Sequence, residues 1–377
     1  MLLLNPGPVS VTERVRRSLL QPDLCHREPE FFDLQDEARR RLLGVYGLDP
    51  AEWTAVLLTG SGTAAVESML AALVPEDGRV LIVENGVYGE RMSQMASRFG
   101  IGYAVARHGW TSAVDAASVG ARLDKEPGFT HVAVVHHETT TGRLNDLVEL
   151  ERLCRERGLR LLVDAVSSFG AEAIDFHHGG IVAAAATANK CLHGVPGVAF
   201  VVVRRDALPQ AACRSYYLDL SRLALLQDRR DTPFTPSVPA YYALVEALTE
   251  LEDYGGWARR HEKYHGLARR LANALASLGI HALIPDRESS VVLRAYRLPP
   301  GMSYVQLHDR LKADGFVIYG GQGALTSDIF RISVMGDLHE SDLDRLALAF
   351  QRALQSLRAA HPEGSHGGAV LGMPAEG

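Results

Sequence analysis

The stretch AAAATANKCLHGVPG, residues 183 to 197, decides the fold and contains Lys190, a charged residue in an unusual position. An apolar, strand-like run leads into Lys190, and a turn rich in glycine and proline follows. A lysine at the end of a buried strand loses its hydration, which is costly unless the amine is neutralised or bonded covalently. A desolvated lysine also has a lowered pKa and attacks carbonyl carbons readily. The pattern therefore predicts that Lys190 is a reactive amine.

A second buried run supports this interpretation. Arg-Leu-Leu-Val-Asp, residues 160 to 164, places Asp164 at the end of another strand. A lysine and an aspartate in such positions suit an enzyme of pyridoxal phosphate (PLP), in which the lysine holds the cofactor aldehyde and the aspartate protonates the ring nitrogen. Cys191 adjoins Lys190 and has two possible roles, as a catalytic group or as a small packing residue.

Seven apolar runs predict the strands of one large sheet. Most are continuous rather than alternating, which indicates strands buried on both faces. Helical patterns separate them, and repeated strand–helix alternation predicts an α/β domain with a mainly parallel sheet covered by helices. The predicted strands are Ala55–Thr59, Arg79–Val83, Tyr103–Ala106, His131–Val135, Arg160–Asp164, Ile181–Thr187 and Val198–Val203. The helices include Gly62–Leu73, Gly89–Phe99, Val114–Leu123 and Leu147–Arg157.

The pattern changes after about residue 204. Residues 206 to 236 are polar and aromatic, and one long helical segment is expected over Pro239–Leu278. Short strands at 289–296, 316–319 and 329–333, with helices near 304–314 and 340–358, predict a smaller α+β domain. The last residues, from Ala359, lack periodicity and are expected to be disordered.

Bulk composition excludes several classes of protein. A net charge of -6 over 377 residues gives no basic surface for nucleic acid or anionic membranes. No apolar run approaches the ~18 residues of a membrane span, and the N-terminus lacks the features of a signal peptide. The four cysteines have neither disulfide nor zinc spacing, so we expect reduced thiols, no metal site and a cytoplasmic location.

Four further positions are candidate contacts for a ligand. The turn Gly60–Thr63 opens a helix and is either a phosphate cradle or a plain strand–turn–helix connection. The polar run 136–142 lies beyond a buried strand, where ligands bind in open α/β sheets, although an ordinary loop has the same composition. The ring of Tyr88 either stacks on a planar ligand or packs in the core. Arg331 interrupts an apolar strand, and it either binds the acid group of a ligand or forms a structural ion pair.

In this order, the motifs resemble those of the class V aminotransferases of PLP fold-type I, over residues 2 to about 355. The resemblance rests on many short segments, of which ANKCL and GVPG around Lys190 are the most specific. The matching segments are LLNPGP (3–8), HREPEF (26–31), LTGSGT (58–63), NGVYGER (85–91), ETTTG (138–142), VDAVSSFG (163–170), ANKCL (188–192), GVPG (194–197), FTP (234–236), FVIY (316–319) and FRI (330–332).

The resemblance implies a role for each matching residue. Lys190 would bond to the cofactor and carry the proton between two carbon atoms, and Asp164 would pair with the ring nitrogen. Val166 and Tyr88 would pack on the two faces of the ring, and Arg331 would bind the acid group of the amino acceptor. The remaining cofactor contacts would be Ser61, Gly62 and Thr63 at the phosphate, Thr235 of the neighbouring subunit also at the phosphate, Thr139 at the ring oxygen, and Asn189 beside the cofactor.

The resemblance also implies the assembly and the division of the chain. A homodimer with shared active sites is expected. Residues 1–15 would form an N-terminal segment at the active site, 16–250 the large PLP-binding domain, 251–358 the small C-terminal domain and 359–377 the tail.

The implied activity is transamination from 2-aminoethylphosphonate to pyruvate, giving phosphonoacetaldehyde and L-alanine. Three segments depart from the expected pattern near the substrate: Asn5 for threonine, residues 213–230, and Gly320-Gly321-Gln322 where Pro-Gly-Lys is expected. Serine–pyruvate or alanine–glyoxylate transamination, or a lyase reaction with the same cofactor, therefore stays open. A non-enzymatic regulator is disfavoured because Lys190 is present and no DNA-binding extension is evident.

Overall fold

A computed structural model describes residues 1–209 and 213–360. The strands are β1 Leu2–Leu3, β2 Trp53–Gly60, β3 Arg79–Glu84, β4 Gly102–Arg107, β5 Phe129–Val135, β6 His137–Glu138, β7 Arg143–Leu144, β8 Arg160–Asp164, β9 Ile181–Thr187, β10 Gly197–Arg204, β11 Leu293–Arg297, β12 Phe316–Val317, β13 Tyr319–Gly320 and β14 Ile329–Ser333. The α-helices are α1 Glu13–Ser18, α2 Pro29–Gly44, α3 Gly62–Leu73, α4 Val87–Arg98, α5 Ala116–Lys125, α6 Leu147–Glu156, α7 Leu220–Asp228, α8 Val238–Asp253, α9 Gly256–Ser277, α10 Tyr304–Ala313 and α11 Glu340–Ala360.

The seven predicted strands form one sheet in the order β2-β10-β9-β8-β5-β3-β4. Strand β10 runs antiparallel to β2 and β9, and every other neighbouring pair is parallel. Continuous apolar runs were predicted to be buried on both faces, and β3 shows why. Leu81 and Val83 pack in one core cluster, whereas Val80 and Ile82 point to the opposite face and pack in another. The predicted mainly parallel α/β sheet is confirmed.

Polar side chains begin several of the helices that cover the sheet. Asp115, Asp146 and Asp219 each accept a backbone N–H of the first turn of α5, α6 and α7. These bonds satisfy donors that have no partner within the helix, which fixes where each helix begins.

A third core cluster lies outside the large sheet. It gathers α9, α10 and α11 around the sheet β11-β14-β13, together with Leu4 and Val9. Strand β1 pairs in parallel with β12, with Leu2 opposite Phe316. The N-terminal segment therefore packs with the C-terminal part of the chain, while the domain boundaries given above stay a prediction.

Several sequence-based predictions of secondary structure were wrong in detail. The helical segment Pro239–Leu278 is two helices, α8 and α9, because Gly255 takes a left-handed conformation with φ of 101° between them. The strand expected at 289–296 begins only at Leu293, and the run 316–319 is divided between β12 and β13. Helix α11 extends to Ala360, past the predicted start of the tail, and residues 361–377 lie outside the described residues.

None of the helices within residues 1–209 and 213–360 is both long enough and apolar enough to cross a membrane.

Candidate active site

Lys190 lies in the turn between β9 and β10, as predicted. Its side chain is largely buried, and the ammonium donates a hydrogen bond to the carbonyl oxygen of Pro6. Burial lowers the pKa of Lys190 to about 8, while the nearby Asp164 acts in the opposite direction. The N-terminal segment can approach this closely because Gly7 has no side chain: a Cβ there would lie 2.6 Å from Cδ of Lys190. Lys190 is thus an amine with a raised neutral fraction near physiological pH.

Asp164 ends β8 beside the same space. Burial raises its pKa to about 6, whereas the backbone N–H of Val166, which donates to Oδ1 at 3.0 Å, and the charges of Lys190 and Arg91 lower it. Lys190 and Asp164 are therefore close enough for each to change the pKa of the other. One small cavity is lined by Thr63, Tyr88, Arg91, Asp164 and Val166, together with apolar residues of α3 and α4.

The predicted phosphate cradle is the start of α3. Ser61 precedes the helix with an exposed side chain that does not cap it, and Gly62 and Thr63 form its first turn. The first N–H groups of a helix have no partner within it and attract anions. A Cβ at Gly62 would lie 2.6 Å from Cγ1 of Val166. Glycine therefore lets the helix start lie directly against Val166, two residues after Asp164.

Tyr88 stands in the first turn of α4, and its ring lies under the guanidinium of Arg91, 4.7 Å from the ring centroid. Glu138, to which the sequence analysis assigned no role, fixes this turn from across the site. Its carboxylate accepts the backbone N–H of Tyr88 at 3.2 Å and of Gly89 at 3.3 Å, and the hydroxyl of Thr140 at 2.6 Å. Burial raises the pKa of Glu138 to about 7, although the hydrogen bonds from Thr140 and Gly89 act to lower it.

Arg331 lies in the centre of β14, fully buried. Nε donates to the carbonyl oxygen of Gly320 at 2.8 Å, and Nη1 donates to the carbonyl oxygen of Thr139 at 3.0 Å and to Oε1 of Gln322 at 3.2 Å. Nη2 is buried with no hydrogen-bond partner among the described residues. A buried guanidinium nitrogen without a partner is costly, and an acid group is the ligand that best satisfies it.

The remaining predicted contacts are Asn189 and Thr235. Asn189 precedes Lys190, and its side chain accepts a hydrogen bond from the hydroxyl of Thr187 at 2.8 Å. Thr235 is exposed and lines a different cavity, between β2 and α7. Its contact with a cofactor phosphate in a neighbouring subunit stays a prediction.

Of the two possible roles of Cys191, the structure supports packing and not catalysis. Its thiol is buried and donates to the carbonyl oxygen of Ser167 at 3.3 Å, and burial raises its pKa to about 12. His136 and His137 make separate contacts, with the hydroxyl of Ser168 and the carbonyl of Ser167. Within residues 1–209 and 213–360, no group of three or more histidine, cysteine, aspartate or glutamate side chains is placed to hold a metal ion.

Sequence reasoning missed Glu138, Arg91 and the contact of Pro6 and Gly7 with Lys190. A signal existed for the first two, since Glu138 and Arg91 stand inside quoted motifs next to Thr139 and Tyr88. Glu138 contacts backbone groups of another segment, and Arg91 contacts the ring face of Tyr88. No local sequence pattern reveals these contacts.

The arrangement fits PLP. A buried amine with a lowered pKa suits the aldehyde, a buried carboxylate suits the ring nitrogen, and a free helix start suits the phosphate. The guanidinium of Arg331 is close enough to lower the pKa of Lys190, and its Nη2 has no hydrogen-bond partner within residues 1–209 and 213–360.

Comparisons with known proteins agree with the assignment of a PLP site. The family model described as aminotransferase class-V matches residues 23–298. A 2-aminoethylphosphonate–pyruvate transaminase of Aeromonas hydrophila is 40% identical over 363 residues, which cover 93% of this chain and 94% of that protein. One of Syntrophobacter fumaroxidans is 36% identical and covers 94% and 96%. The crystal structure of an alanine–glyoxylate aminotransferase of Nostoc sp. matches with a TM-score of 0.87 and 27% identity, covering 94% of this chain and 95% of that one.

The family match spans most of the chain, and it coincides with a site built around a buried lysine and aspartate. The chain belongs to the class V aminotransferase family and is a PLP-dependent aminotransferase.

Proposed function

We propose that the protein transfers the amino group of 2-aminoethylphosphonate to pyruvate, giving phosphonoacetaldehyde and L-alanine. The observation that carries this proposal is the likeness, over nearly the whole chain, to relatives that bear this activity in their names. The buried, unpartnered Nη2 of Arg331 supports it, because the phosphonate of the donor and the carboxylate of the acceptor are both acid groups that a guanidinium binds.

The chemistry supplied by PLP is an aldehyde that bonds to amines and a ring that stabilises negative charge on the adjacent carbon. In our proposal, the amine of Lys190 would accept the proton lost from the substrate carbon that bears the amino group and would deliver it to the aldehyde carbon of the cofactor. Asp164, at the end of β8, would hold a proton at the ring nitrogen. Tyr88 and Val166, which line the same cavity as Asp164, would pack on the two faces of the ring.

Further residues orient the reactants in this scheme. Ser61, Gly62 and Thr63 bind the phosphate at the start of α3, Thr139 contacts the ring oxygen, and Asn189 lies beside the cofactor. We also propose a homodimer, in which Thr235 reaches the partner's phosphate; its exposure on the single chain supports this arrangement. A cytoplasmic location is proposed because all four cysteines are free thiols.

A second candidate is transamination of an amino acid donor such as serine or alanine. It is favoured by Gln322, which contacts Arg331 at 3.2 Å where the resemblance leads us to expect a lysine. The absence of that positive charge removes about twice as much electrostatic attraction from a doubly charged phosphonate as from a carboxylate. The structural likeness to an alanine–glyoxylate aminotransferase also favours it.

The test is a donor screen with purified holoenzyme and pyruvate, following L-alanine for donors other than alanine. We expect 2-aminoethylphosphonate to have a higher kcat/KM than serine, and alanine with glyoxylate to be slow. Arg331→Lys should lower kcat/KM by at least about tenfold, because a single ammonium replaces a planar fork of donors. Arg297→Lys is the matched control, since Arg297 is exposed at the end of the neighbouring strand β11. An inert phosphonate together with rapid turnover of serine or alanine would replace the first proposal with the second.

Lys190→Ala tests the reaction class separately. The variant should lose the absorbance band at roughly 410–430 nm that is typical of PLP bonded to a lysine. A normal band in this variant would contradict the assignment of Lys190.

A further inference from the structure

A second cavity, separate from the site above, lies where the N-terminal segment, the turn after Lys190 and helices α8 and α9 meet. Its volume is about 340 Å³, within the range of small-molecule sites. Its walls carry six charged side chains, three of each sign. They are Arg14, Arg260, Lys263, Glu250, Asp253 and Asp337.

The positive side of this cavity is Arg260 and Lys263, on one face of α9. Arg260 is only 5% exposed, and its Nη1 donates to the carbonyl oxygen of Cys191 at 2.6 Å. Lys263 is half-buried and makes no ion pair with any described residue; its ammonium lies 5.9 Å from the ring centroid of Tyr254. Loss of hydration lowers the pKa of Lys263, while the charge of the nearby Asp337 acts in the opposite direction. A partly buried cation that makes no direct ion pair is a ready partner for an acid group.

The negative side is formed by Glu250 and Asp337. Glu250 accepts a hydrogen bond from the hydroxyl of Thr12 at 2.6 Å, which is a neutral partner and leaves its charge uncompensated. Asp337 contacts the exposed His339 at 3.3 Å. Arg14 is already engaged by two carboxylates, since it pairs with Asp253 at 2.7 Å and also with Glu246. An anion alone would face two carboxylates here, and a cation alone would face two basic groups.

We infer that this cavity binds a small zwitterion, whose acid group contacts Arg260 and Lys263 and whose ammonium contacts Glu250 and Asp337. The balance of charge and the size of the cavity favour an amino-acid-like molecule over a simple ion. This inference does not depend on which amine the active site uses.

The walls connect the cavity to the active site. His193 follows Lys190 in the same turn, and its ring nitrogen Nε2 accepts the backbone N–H of Gly336 at 2.9 Å. The backbone N–H of Asp337 in turn donates to the carbonyl oxygen of Ser10, in the segment that continues from Gly7. A ligand that holds these segments together would stabilise the loops that carry Lys190 and its contact with Pro6.

The test uses holoenzyme reduced with borohydride, which fixes the cofactor on Lys190 so that added amines cannot react there. Glycine, β-alanine, 4-aminobutyrate and 5-aminopentanoate are titrated by calorimetry, since they differ in the spacing of their two charges. We expect at least one to bind saturably, and acetate and ethylamine to bind at least about tenfold more weakly.

Variants locate the binding. Lys263→Met and Glu250→Gln should each weaken the best ligand by at least about tenfold, since one charge contact is lost in a partly buried site. Arg331→Lys should leave its affinity unchanged, and Lys312→Met, an exposed lysine of α10, is the matched control. The inference is overturned if no titrant binds saturably, if neither cavity variant changes the affinity, or if Arg331→Lys abolishes binding.

Discussion

Replacing Lys190 with methionine should stabilise the cofactor-free protein, even though it destroys the activity. The reason is that folding places the ammonium in a buried turn, where its hydration is lost and the carbonyl oxygen of Pro6 is its hydrogen-bond acceptor. Methionine has a similar length and no charge, so it removes the cost of desolvation and fills the same space.

The magnitude follows from the pKa. Folding lowers the pKa of Lys190 from 10.5 to about 8, and each pH unit corresponds to about 1.4 kcal/mol, which gives ~3 kcal/mol. Below pH 8 the amine is protonated in both states, so the full cost opposes folding. Above about 10.5 it is neutral in both states, and the cost is absent. Between these values the unfolded chain binds more protons, so the stability of the wild type should rise with pH relative to the variant.

The assay is urea unfolding of cofactor-free wild type and Lys190→Met at one fixed protein concentration, at pH 7 and over pH 8 to 10. At pH 7 the variant should be more stable by a few kcal/mol, and the difference should shrink as the pH rises. Lys312→Met, at an exposed position, should change the stability by less than about 0.5 kcal/mol. A variant that is less stable than the wild type at pH 7, or a difference that is independent of pH, would refute the reasoning.

Two further substitutions probe the contacts that hold the site. Gly7→Ala should impair cofactor loading, measured by visible absorbance, because φ at Gly7 is 116° and the new Cβ would lie within 3 Å of three atoms of the Lys190 side chain. Gly44→Ala, with nothing within 4 Å of the new Cβ, should load normally, and equal loading of both variants would contradict the argument. Glu138→Ala should weaken PLP binding by about tenfold or more in a titration, because the start of α4 loses its acceptors, whereas Glu138→Gln should have a smaller effect. Wild-type affinity in Glu138→Ala would exclude the proposed fixing of Tyr88.

The large sheet could be predicted because its signal is local. Each strand is a run of apolar residues long enough to fill both faces, as Val80–Val83 shows, and the turn chemistry at Gly62 marks a helix start. Lys190 and Asp164 could be paired because both follow strands that end at the same edge of the sheet.

What could not be predicted depends on contacts between distant segments. The break between α8 and α9 is an exception, because Gly255 and Gly256 form a Gly-Gly pair with φ of 101° and 82°. Such a pair is a local turn signal, which the prediction of one helix over Pro239–Leu278 overlooked. The role of Glu138 lies in backbone N–H groups about 50 positions earlier in the chain. Thr235 is a different case, since its predicted partner belongs to a second copy of the chain.

In our proposal, the choice of substrate depends on the surroundings of Arg331. Two of its nitrogens, Nε and Nη1, are occupied by Gly320, Thr139 and Gln322, and Nη2 alone lacks a partner among the described residues. An acid group that takes two parallel hydrogen bonds must therefore share or replace one existing acceptor. The side chain of Gln322 is the acceptor most easily displaced, because the other two are backbone carbonyls fixed by their strands and loops. In our proposal, the loop that departs from the expected sequence would therefore compete with the substrate for Arg331. We expect the preferred amine to depend on this loop, whereas the reaction class does not.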